Sequence, residues 1–280
     1  MALRRLRLGP TGIIGLLIVA MVVLCALFAP WLAPFDPNAT DLFNTLAPPA
    51  WSDGGSTAHL LGTDKIGRDI LSRIIYGSRI SLITACFAVL GYGVLGTLLG
   101  VVAGYSGPLV QNIIMRLVDI MLAIPFILFA LVIISVLGSS LVNLIFTFVA
   151  IRWVQFTRIA FAQTLEVKER DFVLAARASG AKDSRIVHRY LLPNVMSPVL
   201  VVATLELGFV ILLESGLSFL GLGVPPKIAS WGSMLQEGRN LINLAWWLTT
   251  FPGLAIAVTV MGFNFVGDWL RDLLDPRSVG

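Results

Sequence analysis

Apolar residues in this chain come in unbroken runs about as long as the ~20 residues that carry a helix across a bilayer, with short polar intervals between them. That spacing fits membrane-crossing helices, and neither alternating strands nor the one-sided helices of a soluble core. The first run, residues 12–33, follows a tail (1–11) bearing Arg4, Arg5 and Arg7. A signal peptide would be shorter and would end at a small-x-small cleavage site, which is missing here. Leu24 before Cys25 is also a poor match to a lipoprotein cleavage site, so a retained first span is expected. Further spans are expected at about 80–105, 112–137, 139–164, 195–214 and 246–266. Pro125 should kink the third, and Arg116 and Asp119, three apart, can pair near its start. Glycines 91, 93, 96, 100 and 104 along the second would admit a closely packed neighbour. The fold class that follows is an all-α polytopic membrane protein with six transmembrane helices.

The polar intervals differ in character. The first, residues 34–79, ends in LGTDKIGRDILSRIIYG, which has an amphipathic pattern. Ile66, Ile70, Leu71, Ile74 and Ile75 would share one helix face, with Lys65, Arg68, Asp69 and Arg73 on the other and Thr63 or Asp64 as the cap. Such a helix could lie at the membrane interface or pack on the protein's own loops. The last interval, residues 216–246, is rich in Gly, Pro and Trp, and its aromatics suit an interface belt. The interval 165–194 contains DFVLAARASGAKDSRIVHRYLLPN, a basic stretch in an otherwise apolar chain. It reads as a helix capped by Asp171, a left-handed glycine at Gly180, and a second helix begun by Asp183 or Ser184. The second helix should run through Ile186, Val187 and Tyr190 to a turn at Leu192-Pro193. Ala175 and Ala176 leave a shallow surface that suits docking rather than chemistry.

Composition agrees with this reading: 57% of residues are hydrophobic and 13% charged, against roughly 45–50% and 25% in soluble domains. Mean hydropathy is +0.88. Net charge is +4, but the basic residues cluster between apolar runs, which is not the footprint of nucleic-acid binding. With both termini cytoplasmic, the inner side would hold the three tail arginines, Arg116, the eight Lys and Arg from Arg152 to Arg189, Arg271 and Arg277. The outer side would hold four in the first loop and two in the last, so the positive-inside rule favours this orientation. Cys25 and Cys86 lie in apolar runs and indicate no disulfide framework. No catalytic constellation and no metal-binding spacing stand out; His59 and His188 are far apart. A phosphate-binding loop needs Lys directly after Gly, whereas the lysines follow Asp64, Val167, Ala181 and Pro226. No cofactor is expected on this chain.

The stretch around Ala175 resembles the cytoplasmic "EAA" loop of ABC-importer membrane subunits: Glu-Ala-Ala, three residues, Gly, nine residues, Ile, any residue, Leu-Pro. Ala175, Ala176, Gly180, Leu192 and Pro193 fall on that pattern, with Leu174 in place of the Glu and Tyr190 in place of the Ile. LLGTDKIGRDILSRIIYGSRISL, MRLVDIMLAIP, SFLGLGVPPKIASWGSML and FNFVGDWLRDLLDPR resemble the permease subunits of dipeptide and oligopeptide ABC importers, in order from about residue 10 to 277. The resemblance implies a multi-pass permease of the inner (plasma) membrane with its core at 80–270 and a cytoplasmic tail at 271–280. It also implies four partners in the lipid bilayer assembly: a homologous permease, two cytoplasmic ATPases carrying ATP and Mg, and an extracytoplasmic binding protein. Phe172, Ala175, Ala176, Arg177, Gly180, Ala181, Leu192 and Pro193 would couple to the ATPase. The in-span charges Arg152, Glu206 and Glu214 are candidates for the substrate pathway. Peptides are the commonest cargo of this group, with nickel, glutathione and sugars as alternatives. An ion-coupled secondary transporter or channel is the rival class, to which the completed loop pattern is foreign.

Overall fold

The computed structural model describes residues 9–225 and 227–274; Arg4, Arg5, Arg7 and Arg277 lie outside the described residues. In order, the chain forms α1 (Pro10–Leu27), a single turn α2 (Ala29–Leu32), α3 (Ile70–Tyr105), α4 (Pro108–Ala123), α5 (Phe126–Leu137) and α6 (Leu141–Lys168). It continues through α7 (Asp171–Ala178), α8 (Asp183–Ile186), α9 (Leu192–Phe219), α10 (Trp231–Gly238) and α11 (Trp247–Leu274). Five of the described helices or helix runs are long and apolar enough to cross a membrane, six if α4 and α5 form one broken span.

Four expectations change. The amphipathic stretch before the second span is no separate helix: α3 begins at Ile70, capped by Asp69, and runs 36 residues without a break. The Asp64 carboxylate is the cause, because it accepts the amides of Ile66 and Arg68 at 2.9 Å and holds residues 64–68 in a turn. Pro125 does more than kink its span, since α4 and α5 meet at 90°. Proline supplies no amide and pushes Ile124 into extended backbone (φ −92, ψ 122), which ends α4 outright. Arg116 and Asp119 are both exposed and form no ion pair with each other. At Leu192-Pro193 the chain does not turn. A π-helical turn, Val187–Leu191, joins α8 to α9, and the run Asp183–Phe219 forms one candidate span.

The glycines of α3 set the packing. A Cβ on Gly96 would lie 2.2 Å from the Trp153 carbonyl oxygen, and one on Gly100 would lie 2.5 Å from that of Thr157. Backbone therefore touches backbone along α3 and α6, as small residues permit. Successive contacts ascend in both helices, and the Lys168 ammonium donates to the Gly104 carbonyl at 3.0 Å. The two helices run the same way, so α4 and α5 must return the chain between them. Gly12 abuts Trp269, placing the start of α1 beside the end of α11. These ends, α7 and α8 share one end of the bundle. Residues 59–73, α10 and the start of α11 form the other.

Candidate functional site

Helix α7 stands at the first end. Arg170 occupies the cap position, and Asp171 is the first helical residue, where its charge still meets the positive end of the helix dipole. Val173 is buried with Val167, Ile186 and Leu191, which fixes one face of α7 on its own chain. Gly180 has φ +79, and the amides of Gly180 and Ala181 return to the carbonyls of Arg177 and Ala176 at 3.0 and 3.1 Å. That closes the helix in the manner expected of a left-handed glycine. The two alanines differ: Ala175 is exposed and Ala176 is half-buried. Phe172 and Leu174 are 41% and 42% exposed, in a segment that is not a span. Arg177 does not simply project outward, because its guanidinium lies 5.8 Å from the Tyr105 ring centroid. Tyr105 in turn donates to Asp183. Ala181 and Tyr190 pack on the buried cluster, Leu192 is half-buried and Pro193 is exposed.

Two of the three in-span charges meet. Arg152 Nη2 donates to both Glu206 oxygens at 2.7 Å, and the Tyr92 hydroxyl donates to Glu206 Oε2 at 2.7 Å. Phe209 lies under the guanidinium, 4.7 Å away. Glu214 is separate and fully buried, and it accepts from the Ser218 hydroxyl at 2.8 Å. Sequence reading missed Tyr92, whose signal was a tyrosine between Gly91 and Gly93 in a glycine-rich apolar run.

The opposite end holds a second charge cluster. Asp64 Oδ2 accepts from Arg68 Nε at 2.5 Å and from Arg73 Nη1 at 2.9 Å. Both arginines reach Glu237 of α10, at 2.6 and 3.4 Å. Burial pushes the Glu237 carboxyl above the ordinary carboxylate range, and the Arg68 charge opposes that rise. Beside this cluster His59 Nδ1 meets Asp69 Oδ1 at 3.0 Å. Of the expected polar face, Arg68, Asp69 and Arg73 thus point inward to partners within the chain, and Lys65 stays exposed. Trp231 and Trp247 are also buried, and their indoles donate to the Ile74 and Thr63 carbonyls at 2.9 and 3.0 Å. They serve as internal ties instead of an interface belt; Trp246 alone of this group stays exposed. Among the described residues no group of three His, Cys, Asp or Glu could hold a metal ion.

Comparison with known proteins places this architecture. Residues 96–279 match the family described as binding-protein-dependent transport system inner membrane component, and residues 1–49 match the N-terminal TM domain of oligopeptide transport permease C. The di/tripeptide transport system permease protein DppC of Pseudomonas aeruginosa is 43% identical over 94% of this chain and 87% of its own length. The dipeptide transport system permease protein DppC of Escherichia coli K12 is 46% identical over 95% and 89%. A chain of the MetNI methionine ABC transporter, solved in inward-facing conformations, superposes with a TM-score of 0.61 over 72% of this chain and 96% of its own, at 18% identity, a likeness of fold. The chain belongs to the family of inner membrane components of binding-protein-dependent transport systems.

Proposed function

We propose that this chain is a transmembrane permease subunit of an ATP-driven importer for di- and tripeptides. The observation that carries the reading is identity of 43–46% to dipeptide permeases over 94–95% of the chain. A second, homologous permease would complete the pathway, two ATPases would bind at the α7 end, and an extracytoplasmic binding protein would deliver cargo at the Asp64 end. The described starts and finishes of the chain share the α7 end, and the positive-inside excess favours the cytoplasm for it.

The mechanism requires ATP and peptide each to favour one of two global arrangements, since a ligand shifts an equilibrium only by its differential affinity. ATP would act through the ATPases, and α7 would carry their movement into the bundle. Three features suit α7 to that role. Val173 and the Arg177–Tyr105 contact fix one face to the bundle. Gly180 sets the exit angle. Phe172, Leu174 and Ala175 remain open for a partner.

The test is uptake of a labelled dipeptide into proteoliposomes holding the full assembly. ATP-dependent accumulation that disappears when this chain is omitted is expected. The pure isolated chain should hydrolyse no ATP, having no phosphate-binding loop. Robust hydrolysis by the isolated chain, or uptake without ATPases, would overturn the proposal.

A further inference from the structure

Arg152 lies near the middle of α6, and its side chain is 18% exposed. Toward the bundle it meets Glu206, which Tyr92 also holds. Toward the surface it meets Gln155 Oε1 at 2.9 Å and the half-open ring of Phe209. The hydrogen bonds to Gln155 and Glu206 all leave from Nη2, while Nε is buried with no partner. A guanidinium is built to hold a carboxylate with two parallel donors. Here the donors are unevenly used.

The surface outside this pair is polar as well. Gln155 and Arg158 are exposed at three-residue spacing from Arg152, so α6 presents an Arg-Gln-Arg stripe where its neighbours are apolar. Ionisable groups at membrane depth face a bundle interior or a water-filled cavity instead of lipid. Glu214 has no comparable outlet, being wholly enclosed with its serine partners.

We propose that Arg152, flanked by Gln155 and Phe209, forms a transient binding site for the carboxylate of the transported peptide, resting on the peptide-importer reading above. Glu206 is the resident carboxylate that pairs with the guanidinium when cargo is absent, and Tyr92 positions it. An incoming carboxylate shares the guanidinium through Nη1, which makes none of the bonds to Gln155 and Glu206, and leaves when Glu206 regains the full contact. Competition of this kind keeps the site weak enough to release what it binds. Phe209 would give the adjoining apolar part of the peptide a ring to lie on.

The test compares a peptide with a free C-terminal carboxylate and its C-terminal amide in the reconstituted importer. Each is supplied at a concentration that loads the binding protein equally. Arg152→Gln should slow the acid about ten-fold and the amide less than two-fold, the size expected for loss of one charge-assisted contact. Because Arg152→Gln strands Glu206, the double variant Arg152→Gln/Glu206→Gln, which removes both charges and keeps hydrogen-bonding groups, should show the same selective loss with a normal folded yield. Equal slowing of acid and amide in the double variant would overturn the inference, leaving the ion pair as a helix tie, while the importer reading stands. A wild-type assembly that moves neither peptide would overturn the importer reading, and this site with it.

Discussion

The two ends of the bundle treat charge in opposite ways. At one end Asp64, Arg68, Arg73 and Glu237 come from segments far apart in sequence, yet they close on one another. Arg73 is 1% exposed and Asp64 2%. At the other end Arg170 pairs with Glu166 in the open, with 51% and 56% of the two side chains exposed, and α7 leaves Phe172 and Leu174 uncovered. Burying ions is costly and repaid only by close pairing, so the first cluster, in which both carboxylates meet both arginines, reads as an interior completed within the chain. Apolar side chains left open on a segment that is no span are what the proposed docking of an ATPase on α7 would cover. On the proposed function, the contrast separates structure that this polypeptide finishes alone from structure it would leave for a partner.

Substitutions can break that contrast from either side. The largest effect should come from Arg73→Ala, which leaves the buried Asp64 and Glu237 carboxylates to share Arg68 alone. Removing one partner of a buried pair costs about 3–5 kcal/mol, so folded yield and Tm of the solubilised chain should both fall sharply. Next is Ala175→Glu: a charge without a partner at a packed contact should lower ATPase capture about ten-fold or more while leaving yield unchanged. Ala176→Glu should lower yield too, because Ala176 is half-covered by its own chain. Equal behaviour of the two variants in a pull-down normalised to inserted protein would remove the distinction between their faces. Gly180→Val forces a β-branched residue to φ +79 at a cost of about 1–2 kcal/mol. Space around Gly180 is open, so the chain should still insert, with ATP hydrolysed but peptide uptake reduced. Smallest of all, Glu166→Ala removes an exposed pair worth about 0.3–0.5 kcal/mol and should leave yield, capture and uptake near wild type.

Much of the fold was legible because the bilayer imposes it. Run lengths gave the spans, and the glycines of the second span announced the close approach of α6. Gly180 was legible for a local reason, since a helix ending in a left-handed residue strongly favours glycine. What escaped depended on distant partners. Nothing near Arg68 and Arg73 reveals that Glu237, more than 150 residues on, pairs with them, so period alone left open whether their face met the membrane interface or the protein's own loops. Trp231 and Trp247 were misjudged for the same reason, as their carbonyl partners lie in the first polar interval and the start of α3. The segment proposed for docking was legible as a motif, but sequence could not divide Ala175 from Ala176. That division depends on Val173 turning α7 onto the buried cluster.

Hydrogen exchange on the isolated chain and on the complete assembly tests the central claim most directly, because it reports both ends in one experiment. Amides of residues 171–180 should exchange readily in the isolated chain and slow at least about ten-fold once the ATPases bind. Amides of residues 64–73 should be protected to the same degree in both samples. Unchanged exchange at 171–180 with ATPases bound would contradict the account.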